Sequence, residues 1–87
     1  MKRPSSKRVL KDLGRRVAEL RQGLELTQAA LAERLTVTSR YVQSIEGGRE
    51  NLTVESLTVL ASVLDVSVGA LFEPPTSRDV QVGRPKK

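Results

Sequence analysis

Apolar residues recur at steps of three and four through most of this chain. From Lys7 they fall at Leu10, Leu13, Val17, Leu20 and Leu24, along one face of a helix. That period predicts a first helix from about Lys7 to Gln22, with Gly23 as its terminator. Gly14 sits inside it, where an exposed glycine costs roughly 1 kcal/mol against alanine; close packing and no role at all are both open. A second helix follows Thr27, with Leu31 and Leu35 at i, i+4 spacing and Ala32 small enough to admit a near neighbour. A third follows Thr38, sends Val42 and Ile45 to one face, and ends near Glu46 with Gly47 and Gly48. Thr27 and Thr38 each stand where a hydroxyl accepts from an N–H of the first turn.

Beyond the loop RENLT, Thr53 caps a fourth helix whose buried stripe is Leu57, Leu60, Ala61 and Leu64, closed by Asp65 and Val66. Ser67 caps a short fifth, VGALFE, with Leu71 and Phe72 folding back onto the core. Pro74-Pro75 then ends the ordered pattern, because proline disfavours helix at Glu73 and offers no N–H. The expectation is an all-α domain of five short helices over residues 7–73, between a disordered basic arm (1–6) and a flexible basic tail (74–87). Within it, Thr27–Gly48 pairs two helices across a break of about three residues, the second with a polar outer face. That is a helix-turn-helix.

Composition narrows the chemistry. In 87 residues there is no Cys and no His, which removes thiol chemistry, disulfides, zinc-finger ligand sets and imidazole bases. No metal site, cofactor site or enzyme is expected. Tyr41 and Phe72 are the only aromatics, too few for stacking platforms that hold single strands. No apolar run approaches a membrane span of ~20 residues. The opening MKRPSSKR lacks the apolar segment of a secretory signal. A cytoplasmic, nucleoid-associated protein is the expectation. The net charge is +5, distributed as +6 over residues 1–21, −4 over 22–73 and +3 over 74–87. A polyanion would meet the ends first, although solubility alone also accounts for such charge.

The segments LGRRVAELR, LTQAALAERL, SRYVQSIEGGR, ESLTVLASVLDVS and ALF together resemble the Cro and phage-repressor type of helix-turn-helix family, also called the xenobiotic-response-element type. RENLTVESL is further similar to the restriction-modification controller branch. The resemblance implies a compact five-helix lambda-repressor-like fold with the helix-turn-helix at helices 2 and 3. It also implies a homodimeric transcriptional regulator, a repressor among them, on a pseudo-palindromic operator in double-stranded DNA. Dimer contacts would come from helix 5 and later apolar residues such as Val63 or Val68. The alternative is a protein-interaction module, an antitoxin or adaptor, that docks a protein partner with the same fold.

Carried onto this chain, the base-reading positions are Ser39, Arg40, Gln43 and Ser44. Arg40 is the sharpest, because a guanidinium can bond guanine O6 and N7 together; pairing with a phosphate or an acidic neighbour is its other reading. Phosphate contacts would come from Gln28, Thr38, Arg49 and Asn51, and from Tyr41 through its hydroxyl, with cover over the core as the alternative for Tyr41. Arg21 and Glu46 match a pair that bridges helix 1 to the end of helix 3. Four departures stand out: Thr36 and Glu25 replace common glycines, Leu52 stands where Pro is frequent, and Gly47 where Asn or a basic residue is frequent. A β-branched Thr36 in a left-handed turn would be strained. The closing VGRPKK resembles an AT-hook around Gly-Arg-Pro, without the preceding Arg. Arg84, Lys86 and Lys87 would then enter an A·T minor groove, or else add non-specific phosphate attraction.

Overall fold

In the computed structural model, which describes Arg3 and residues 5–76, four α-helices pack around one core: α1 (Ser6–Gly23), α2 (Gln28–Leu35), α3 (Ser39–Glu46) and α4 (Val54–Leu64). Each helix starts the same way. The hydroxyls of Ser5, Thr27, Thr38 and Thr53 accept from the N–H groups of Arg8, Ala30, Tyr41 and Ser56 at 3.0–3.1 Å. Each also ends the same way. After α1, the N–H of Leu26 bonds Arg21 O at 3.1 Å and that of Glu25 bonds Gln22 O at 2.9 Å, which is a Schellman closure. Val37 and Thr36 repeat the pattern after α2, Arg49 and Gly48 after α3, Val66 and Asp65 after α4.

The closure needs a left-handed residue, yet only one of the four is glycine. Glu25, Thr36 and Asp65 take φ near +60°, and Gly48 has φ +77°. For a non-glycine residue that conformation costs roughly 1–2 kcal/mol, so three turns carry local strain that the packing on either side must hold. Gly23 is therefore the last helical residue and not the turning one; Glu25 turns the chain. One consequence corrects the sequence pattern: Leu24 lies beyond the helix and is exposed, off the face it was expected to extend.

The expected fifth helix is a single 3-10 turn, Gly69–Phe72. Ser67 Oγ accepts from Ala70 N–H at 3.2 Å, but Pro74 bars the helical conformation at Glu73, and one turn cannot offset the cost of nucleating a helix. With i→i+3 closure, adjacent side chains diverge by about 120°. Leu71 is fully buried and Phe72 is 48% exposed, so only one of the two folds inward. The most deeply buried side chains are Val17, Leu31, Val42, Leu60 and Leu71, one from each helix and one from the 3-10 turn. Every element thus contributes to the same core, at ~1.5–3 kcal/mol per buried side chain of this size. Arg16 locks the last of them: its Nε donates to Ala70 O at 2.9 Å, and its guanidinium donates to Glu73 Oε1 at 3.0 Å.

Candidate nucleic-acid interface

Helix α3 is short, eight residues or about 12 Å, and its inner face is fixed. Val42, Ile45 and Glu46 are buried. On the outer face Arg40 and Gln43 are exposed, with Ser39 and Ser44 half-exposed. Arg40, Gln43 and Ser44 follow i, i+3, i+4 spacing and so project from one side. Thr38 holds the N-terminal end of this helix, with its hydroxyl occupied as acceptor by Tyr41 N–H and its own proton still available to a phosphate. Tyr41 points elsewhere: its ring is half-buried against the core and lines the groove between α3 and α4.

The C-terminal end of α3 is clamped from α1. Arg21 Nε donates to Glu46 Oε2 at 2.6 Å, a second guanidinium nitrogen donates to Oε1 at 3.1 Å, and a third N–H reaches Leu26 O at 2.8 Å. Both residues are 9% exposed. Bidentate geometry with satisfied extra donors is what a buried pair requires. Gln28, at the start of α2, joins the same carboxylate through Nε2 at 2.9 Å. Its amide therefore belongs to the clamp first, with one N–H left for an outside oxygen. Sequence reasoning placed Gln28 at a phosphate and did not foresee this bond; a glutamine at a helix start facing a buried glutamate carries no spacing signal.

Gly14 completes the crossing. A Cβ there would lie 2.5 Å from both Ile45 O and Glu46 O, so α1 passes over the end of α3 at backbone contact. Of the two readings open for this glycine, close packing is the one that holds. In the loop beyond, Arg49 and Asn51 are exposed, and Gly47 leaves the first loop position without a side chain. Arg84, Lys86 and Lys87 lie outside the described residues, as does part of the arm at 1–6.

Two helices at a fixed crossing, a short polar-faced second helix and supporting helices on either side define a helix-turn-helix protein. The chain matches the family model described as Helix-turn-helix domain over residues 12–73. It belongs to that family, and within it to the Cro and phage-repressor type. It is 32% identical over 64 residues to the immunity repressor protein of Bacillus phage phi105, covering 74% of this chain and 44% of that protein. The chain thus spans less than half the length of that repressor. Its fold is similar to the restriction-modification controller protein C.AhdI from Aeromonas hydrophila, with a TM-score of 0.69, 33% identity, and coverage of 72% of this chain and 96% of that one. It is also similar to part of hydroxypropylphosphonic acid epoxidase from S. wedmorenis, with a TM-score of 0.74 and 32% identity over 78% of this chain but only 36% of the enzyme. Among the described residues, no helix is long and apolar enough to cross a membrane.

Proposed function

We propose that the chain is a sequence-specific DNA-binding transcriptional regulator that acts as a homodimer on a pseudo-palindromic operator. The observation that carries this reading is the outer face of α3, where Arg40 and Gln43 stand exposed on a helix whose other side and both ends are fixed. Residues near the start of such a helix come closest to base edges in the major groove. Arg40 is the principal reader, with Ser39, Gln43 and Ser44 beside it. Gln28, Thr38, Arg49 and Asn51 hold phosphates and set register. Residues 7–73 form the binding domain, and the basic segments 1–6 and 74–87 add phosphate attraction, Arg84, Lys86 and Lys87 included. A single eight-residue reading helix buries little surface, and two-fold pairing would place half-sites ~34–36 Å apart. The repressor and controller proteins to which the chain is similar support regulation over catalysis.

Selecting bound sites from a random duplex library tests the reading: a symmetric site with a guanine in each half is expected. Arg40→Ala should then cost ~1–3 kcal/mol of binding and relax preference at that guanine. If Arg40→Ala leaves affinity and preference unchanged, α3 does not read DNA. A second reading, docking of a protein partner, has one observation in its favour. An apolar groove of about 390 Å³ runs between α3 and α4, lined by Leu35, Val37, Tyr41, Leu52 and Val59 among others. It would be preferred were the library to return no enriched sequence.

A further inference from the structure

The family match begins at residue 12, but α1 begins at Ser6. Six helical residues, about 9 Å of helix, therefore precede the start of the family match. They carry Lys7, Arg8 and Lys11, and the first turn holds no acidic residue. Cations are unfavourable at a helix N-terminus, where the backbone already presents positive partial charge. The pairing of Arg8 with Asp12, at 3.4 Å and with the Arg8 side chain 58% exposed, offsets little of that. Helix stability alone thus argues against Lys7 and Arg8 in the first turn.

The extension packs closely beside the candidate interface. Lys11 backbone lies against Gly48, where a Cβ would be 2.9 Å from Lys11 Cα, and Gly14 abuts the last carbonyls of α3. A hollow between them is lined by Arg8, Lys11 and Arg15 from α1 and by Gly47 and Arg49 from the loop after α3. Of its two acids, Asp12 and Glu46, the second is already engaged by Arg21 and Gln28. A positive track therefore starts at Arg49, in the loop after α3, and continues along α1.

We propose that the N-terminal extension of α1 is a second phosphate-binding element, gripping the backbone of duplex DNA beside the half-site that α3 reads. This rests on the DNA-binding reading above and extends it to a surface outside the helix-turn-helix. At 3.4 Å of axis per phosphate on one strand, the extension spans about two to three phosphates. A duplex is favoured over single-stranded RNA because the track contains no aromatic side chain on which unpaired bases could stack.

The test uses the full chain carrying Arg8→Gln and Lys11→Gln, changes that keep an unbranched polar side chain and similar helix propensity. On an operator selected with the parent, the slope of log K against log salt should fall by about 1.8, some 0.9 for each phosphate left without its cation. The backbone footprint should retract by about two to three base pairs at its outer edge. A random-sequence duplex should lose affinity by the same factor, and base preference should stay as it was. A double variant Arg8→Lys, Lys11→Arg keeps both charges and should keep the parental slope. The proposal is overturned if the glutamine variant melts with the parent and retains both slope and footprint. It is also overturned if the charge-keeping variant loses the slope too, or if the loss is larger on a single-stranded RNA of equal length. A parent chain that selects no duplex at all would sink the function itself, a result readily told apart from an unmoved slope.

Discussion

Replacing Arg21 by Met removes the guanidinium while keeping most of the apolar stem, and so isolates the charge in the clamp between α1 and α3. In the intact protein Glu46 accepts three hydrogen bonds, two from Arg21 at 2.6 and 3.1 Å and one from Gln28 at 2.9 Å. After Arg21→Met only the Gln28 bond remains, and a carboxylate 9% exposed has lost its counter-charge. Leu26 O loses its guanidinium donor as well. Breaking a buried pair on one side typically costs ~3–5 kcal/mol. For a domain of this size each kcal/mol lowers Tm by ~4–8 °C, so a fall of at least about 12 °C is expected. Urea unfolding at low temperature, followed by far-UV circular dichroism, gives the free energy directly. The double variant Arg21→Met, Glu46→Leu removes both charges and should recover about 2 kcal/mol or more of the single loss. Full recovery is not expected, because the Gln28 amide and Leu26 carbonyl keep their need for partners. A loss below about 1 kcal/mol for Arg21→Met would refute the reasoning, since that is the range of solvent-exposed pairs.

Gly14→Ala should destabilise by ~1–3 kcal/mol although alanine is the better helix former, because the new Cβ meets two backbone carbonyls at 2.5 Å; a thermal melt with Tm at or above the parent's would show that the crossing can open without cost. Thr36→Gly should do the opposite. Removing a β-branched residue from φ 62°, ψ 45° relieves ~1–2 kcal/mol against ~0.5–1 kcal/mol of added chain entropy. Urea titration should therefore show a net gain of about 0.5–1 kcal/mol, and a loss would mean the threonine is held there by favourable contacts.

Helix starts were legible because their signal is local. A hydroxyl residue immediately before an apolar-periodic run marks Thr27, Thr38 and Thr53, and the side chain that forms the cap is the residue that is read. Ser5 escaped that reading because α1 begins in a stretch with no apolar period, before Val9. Helix ends were less legible for a different reason. The left-handed residue that closes a helix announces itself locally only when it is glycine; here Glu25 and Thr36 show only as replacements of glycines common in the resembled family, and Asp65 only as the end of its apolar run. Their conformation is imposed by tertiary packing, with Val37 and Val66 seated on the core just beyond the turn. The clamp followed from resemblance, whereas Gln28 joining it and Arg16 holding the 3-10 turn depend on partners 18 and 54 residues away in sequence. No periodicity encodes such partners.

Gln28 also bears on how DNA would be held. Its amide is oriented by Glu46, Glu46 by Arg21, and Arg21 by its own helix, so a phosphate approaching the start of α2 would meet a donor already fixed in direction. The same chain of bonds sets the C-terminal end of α3, and with it the angle at which Arg40 leaves the surface. Under the proposed function, phosphate grip and base reading would therefore share one support. A change at Arg21 or Glu46 should alter both together, whereas a change at Arg40 should alter reading alone. That asymmetry would matter for a proposed reader with serines at two of its four positions. Short hydroxyls reach bases poorly, so in that reading selectivity would rest on placing one guanidinium well, and its placement on how firmly the far end of an eight-residue helix is held.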